Sequence, residues 1–73
     1  MENEKRFYNR IKIVLAIKRV KNKELAKYLD VTEQTISKWT TNTNQPSIQE
    51  FYKIAEFLGV SVPELLELPE NNK

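Results

Sequence analysis

NKELAKYLDVTEQTISKW, residues 22–39, reads as two short helices around a turn of about three residues, and such a turn crosses its helices at a steep angle. The first helix begins near Asn22, whose side chain suits an N-cap, and runs to about Leu29 with Leu25, Ala26 and Leu29 as its buried stripe. Ala26 falls on the inner face, where the crossing helices approach closely and a larger side chain would push them apart. Asp30 and Val31 form the turn. The backbone at Asp30 is expected at positive φ, which Asp tolerates better than most non-glycine residues, and Val31 is expected to plug the corner. Thr32 caps the second helix, Glu33 to about Trp39, which Ile36 and Trp39 anchor to the core. Glu33, Gln34, Ser37 and Lys38 are left on its outer face, and all are polar.

Working outward, Phe7, Ile11, Val14, Leu15 and Lys18 share one helical face and predict a first helix from about Glu4 to Lys18. Ile13 and Ile17 point away from that face. Downstream, residues 40–46, TTNTNQP, are polar throughout and end in proline, which makes them a loop. SIQE, residues 47–50, is a capping box that opens a fourth helix with Phe51, Ile54, Ala55 and Leu58 as its apolar face. Gly59 stands where a left-handed residue ends it. SVPE, residues 61–64, is a second capping box, with Pro63 in the first turn of a short fifth helix that carries Leu65, Leu66 and Leu68 and stops at Pro69. No segment alternates for long enough to be a strand. The expected fold is all-α, five helices in one domain over residues 1–69, followed by a polar tail at 70–73.

Composition narrows what such a domain can do. Its 73 residues suit one small unit, which buries only about 60% of its unfolded surface. With no cysteine there is no disulfide, so stability must come from packed helices or an oligomer. Without Cys or His only carboxylates and carbonyls remain as metal ligands, which argues against zinc. The single glycine excludes a P-loop and a GxGxxG loop, and nucleophilic catalysis would lack a histidine base. The carboxylates Glu64, Glu67 and Glu70 have no base or ligand set beside them and read as a solvated face. No catalytic residue, cofactor or metal is therefore expected. The longest apolar run, Ile13 to Ile17, is five residues. That is far below the roughly 18 of a membrane span and too short for a signal-peptide core, so a cytoplasmic protein is expected. The net charge of +2 averages a strong asymmetry. Residues 1–23 hold eight Lys/Arg against Glu2 and Glu4, while residues 48–73 hold two Lys against five Glu. One end can meet a polyanion.

Leu25-Ala26, Asp30-Val31-Thr32, Thr35-Ile36-Ser37-Lys38-Trp39, Pro46-Ser47 and Leu58-Gly59-Val60-Ser61 stand in register without a gap. Together they make the chain similar to the Cro/repressor-type (XRE-like) helix-turn-helix family, which includes phage repressors and restriction–modification controller proteins. The likeness runs from about Phe7 to Leu66. The family usually has glycine at the positions of Asp30 and Asn42, where Asp and Asn are the least costly left-handed substitutes. It often opens its second helix with a phosphate-gripping glutamine, where this chain has the shorter Asn22. Many members also carry a buried Arg–Glu pair at the positions of Leu15 and Thr40. Here both charges are absent together, which can be neutral or stabilising, and Leu15 is expected near Trp39.

The resemblance implies a compact lambda-repressor-like domain with its helix-turn-helix at residues 22–39. It also implies sequence-specific binding of double-stranded DNA, with the helix from Glu33 lying in the major groove. Base contacts are expected from Gln34, which can pair with adenine, from Lys38, which can reach guanine or a phosphate, and from Ser37. Glu33 either accepts from a cytosine amine or faces solvent. Phosphate contacts are expected from Lys21, Asn22, Lys23, Thr32, Thr35, Thr43 and Asn44, using helix N-termini and the polar loop Thr41–Gln45. Lys18 and Arg19 add to the salt-dependent attraction. No small-molecule ligand and no membrane are expected as partners. Such proteins commonly dimerise on palindromic operators. Ile13 and Ile17 either pack under the fifth helix and the Leu68-Pro69 segment or join Val62, Leu65 and Leu66 in a patch for a second subunit. The rival reading is a protein-interaction module of antitoxin type that keeps the fold without the DNA role.

Overall fold

The structure, a computed structural model, describes residues 8–66. Helices α1 (Ile11–Lys18), α2 (Asn22–Leu29), α3 (Glu33–Thr40) and α4 (Ile48–Leu58) are followed by one 3-10 turn, Pro63–Leu65. The architecture is all-helical, and α2 and α3 form the expected crossed pair. The first and last elements differ from expectation, and both differences arise where the two ends of the described chain meet.

Helix α1 begins at Ile11, later than its apolar pattern predicts. Glu4 and Phe7, where the expected helix starts, lie outside the described residues. Asn9 explains the late start. Its Oδ1 accepts the Ile11 N–H at 3.0 Å, which satisfies the first donor of the helix. Asn9 also forms an isolated antiparallel bridge with Leu66, and the Arg10 N–H donates to the Leu65 carbonyl at 2.7 Å. The same pairing cuts the expected fifth helix to a 3-10 turn. Leu66 is extended (φ −104, ψ 147), so the helix cannot propagate past it. Of the expected capping box at residues 61–64, the Ser61 N–H donates to Glu64 Oε1 at 3.3 Å. The Glu64 N–H donates to the Ser61 carbonyl rather than to its hydroxyl. Leu68 and Pro69 lie outside the described residues.

The other helix starts follow their local sequence. Thr32 caps α3 by accepting the Thr35 N–H at 3.1 Å. Ser47 and Glu50 close a reciprocal box at the start of α4, at 3.1 and 2.7 Å. Helix α2 corrects the expected cap by one residue: Lys21 is the N-cap and Asn22 the first helical residue. The Lys21 N–H donates to Glu24 Oε1 at 2.9 Å, so Glu24 does the reaching back that a capping box requires.

Each of the four helices closes through a left-handed residue at or just past its end: Arg19 (φ 60), Asp30 (φ 60), Asn42 (φ 61) and Gly59 (φ 71). In each, the following residue donates its N–H to a carbonyl five positions back: Val20 to Leu15, Val31 to Ala26, Thr43 to Lys38 and Val60 to Ala55. This is the Schellman closure. Asp30 and Asn42 thus hold the conformation expected of them, and Arg19 joins them unforeseen.

The core gathers Ile11, Val14 and Leu15 from α1, Leu25 and Ala26 from α2, Ile36 and Trp39 from α3, Ile54, Ala55 and Leu58 from α4, and Leu65. Leu15 and Trp39 are therefore members of one buried cluster. Leu29 and Phe51, expected on buried faces, are half-buried at its margin. Val20, Val31 and Val60 pack against it from the helix ends. Outside the core, Tyr28 stacks on Phe57 with ring centroids 4.4 Å apart, joining α2 to α4. Among the described residues no helix is long and apolar enough to cross a membrane.

Candidate nucleic-acid interface

Burial divides α3 into two faces. Ile36 is fully buried and Trp39 nearly so, which turns Glu33, Gln34, Ser37 and Lys38 to solvent together. The spacing of the two anchors sets this for Ser37 and Lys38, which lie between them, while Glu33 and Gln34 stand exposed in the first turn of the helix. Glu33 has a structural reason for its place, because a carboxylate in the first turn of a helix meets the positive end of the dipole. Thr32 is exposed, and its hydroxyl lies 3.0 Å from that of the half-buried Thr35.

The start of α2 carries the basic surface. Lys18, Arg19, Lys21 and Lys23 are exposed, and Asn22 is half-buried. The short link from α1 to α2 brings these cations together at a helix N-terminus, where the first N–H groups lack intrahelical acceptors. The cations can attract an anion here, against the Glu24 carboxylate that already holds the Lys21 N–H.

The loop after α3 divides its work. The Thr43 and Asn44 N–H groups donate to the Lys38 carbonyl at 2.9 and 3.2 Å, so their exposed side chains rather than their amides are what the loop offers outward. The Thr41 hydroxyl donates to the Ser37 carbonyl at 2.9 Å. Asn42 and Gln45, by contrast, bond back to Asn9 and the chain before α1. Two side-chain amides of the loop are therefore used to hold it to the chain before α1, while Thr43 and Asn44, the two expected to contact phosphates, stay exposed.

Sequence reasoning missed Asn9 altogether and, of Arg19, the left-handed conformation. Asn9 could have been found as an Asn preceding an apolar helical run. Arg19 could have been found because Arg19-Val20 repeats the pattern of Asp30-Val31 and Gly59-Val60. Ile13 and Ile17 are 48% and 67% exposed, whereas Leu65 is fully buried and belongs to the core rather than to a surface patch. Ile17 lines a shallow groove of ≈ 270 Å³ with Arg10, Val14, Lys18, Val60 and Glu64.

A crossed helix pair with a polar outer face and a basic flank defines a helix-turn-helix nucleic-acid-binding class. Comparison with known proteins agrees: residues 15–65 match the helix-turn-helix family, and the chain belongs to it, in its Cro/repressor (XRE) branch. No curated protein matches the chain. Among solved structures, the chain is similar to a candidate DNA-binding protein from Bacteroides fragilis, at 43% identity and a TM-score of 0.81 over 82% of this chain and 97% of that one.

Proposed function

We propose that this chain is a sequence-specific transcriptional regulator of the repressor or controller kind, working in a bacterial or phage-infected cytoplasm. It reads the major groove of double-stranded DNA with α3. One observation carries the reading: Glu33, Gln34, Ser37 and Lys38 form the exposed face of a helix whose opposite face is locked into the core. Gln34, Ser37 and Lys38 then contact base edges, with Glu33 beside them. Lys21, Asn22, Lys23, Thr32, Thr35, Thr43 and Asn44 contact phosphates and fix the register. The role is binding rather than catalysis, and it asks for no cofactor.

Selection of a preferred site from a random duplex pool, followed by Gln34→Ala, tests this. The substitution is expected to cost about 1–3 kcal/mol and to relax preference at one base. Unchanged affinity and preference would remove α3 from the groove. Binding to random duplex should also fall steeply with salt, and no binding at low salt would favour the interaction-module reading instead. A homodimer on a palindromic site is part of the proposal, because two copies place two recognition helices one DNA turn apart. Sedimentation that finds only monomer, with and without the selected DNA at high protein concentration, refutes that part.

A further inference from the structure

The end of α3 differs from the other three helix ends. At α1, α2 and α4 the left-handed residue is followed by a valine that packs against the core: Val20, Val31 and Val60. At α3 the same backbone closure is followed by the exposed Thr43. The apolar contact that usually pins such a corner is replaced there by a polar residue.

Side-chain amides hold the corner instead. Asn42 Oδ1 accepts from the Tyr8 N–H at 2.7 Å, the Asn9 N–H at 3.0 Å and Gln45 Nε2 at 3.1 Å. Asn42 Nδ2 donates to the Asn9 carbonyl at 3.2 Å. Asn9 Nδ2 donates to the Trp39 carbonyl at 3.0 Å and to Gln45 Oε1 at 2.7 Å. Asn9 is only 3% exposed, a buried polar side chain with its bonds made. Three amides thus tie the chain entering α1 to the last turn of α3 and to the loop beyond it.

We infer that Asn9, Asn42 and Gln45 are positioning residues for DNA binding: a neutral amide knot that holds Thr43 and Asn44 in place beside the end of the recognition helix. The inference rests on the phosphate contacts proposed for those two residues. The knot leaves Asn42 turned inward, so it acts through its neighbours and not by touching DNA. A loop already ordered by the knot loses less conformational freedom on binding than a loose one.

The test measures dissociation constants by fluorescence anisotropy on a duplex selected by the wild-type protein, at a temperature where circular dichroism shows each variant folded. Asn42→Gly removes the knot's centre while keeping a residue suited to positive φ. Gln45→Ala breaks the knot at an exposed position, so it reports even if Asn42→Gly fails to fold. Each is expected to weaken binding about ten-fold, the size of one lost hydrogen bond to a charged group. Asn44→Ala is expected to weaken binding similarly, and Asn44→Ala combined with Gln45→Ala should be little weaker than either alone. If Asn44→Ala weakens binding while folded Gln45→Ala and Asn42→Gly do not, the positioning role is overturned and the loop contact stands. Fully additive effects also overturn it. If neither Thr43→Ala nor Asn44→Ala changes affinity, the loop contact fails and the inference fails with it.

Discussion

Asn9→Ala is the substitution whose cost follows most directly from the structure. It removes the acceptor for the Ile11 N–H and the donor to both the Trp39 carbonyl and Gln45 Oε1. Loss of the bond to the Ile11 N–H, the first of the helix, costs about 1 kcal/mol. The Trp39 carbonyl keeps one partner, the Asn42 N–H at 3.1 Å, so its loss is that of an ordinary net hydrogen bond, about 1 kcal/mol. Gln45 is exposed and turns to water at little cost. The sum is about 2 kcal/mol, a large share of the roughly 4–11 kcal/mol expected for a domain of this size. At about 4–8 °C per kcal/mol, the Tm should fall by roughly 8–16 °C. Thermal melts followed by circular dichroism at fixed protein concentration measure it. Asn9→Ser, which keeps an oxygen able to accept the Ile11 N–H, should recover about half of the loss. A fall of less than about 3 °C for Asn9→Ala would refute the assignment of a structural role to its buried bonds.

Arg19→Gly should act in opposite directions on stability and binding. Relief of the left-handed conformation is expected to stabilise the fold by about 1 kcal/mol, while loss of the cation weakens DNA binding and lowers the magnitude of the salt slope by about one. A lower Tm, or an unchanged slope, would contradict it. Thr32→Ala removes the cap of α3 and should destabilise by about 1 kcal/mol in urea titration; a change within error would show that the cap contributes nothing.

The crossed helices were legible because their signals are local. Thr32, Ser47 and Gly59 mark ends through bonds to residues three to five positions away, and Ile36 and Trp39 mark a face by spacing alone. The outer ends were not legible for the opposite reason. The apolar pattern of α1 extends back to Phe7, but Asn9 answers to Leu66, Trp39, Asn42 and Gln45, all distant in sequence. The capping signal at Ser61 is likewise overridden by the extended pairing of Leu66. The outward placement of Ser37 and Lys38 followed from the helix face opposite Ile36 and Trp39, whereas the inward turn of Asn42 and Gln45 depends on a partner that periodicity does not reveal.

The knot also bears on the absent ion pair. Leu15 is buried and Thr40 donates its hydroxyl to the Ser37 carbonyl at 3.0 Å, so neither position leaves an unpaired charge behind. An ion pair would have joined α1 to α3 with a strength that depends on its desolvation and on nearby charge. Here the junction between the chain entering α1 and the end of α3 is made by neutral amides. Salt screens charges but leaves such bonds nearly untouched. The cations at the start of α2 can therefore respond to ionic strength while the geometry of the loop stays fixed. Under the proposed function, a salt titration of DNA binding should then report the contacts that these cations make with phosphates, with the loop geometry unchanged.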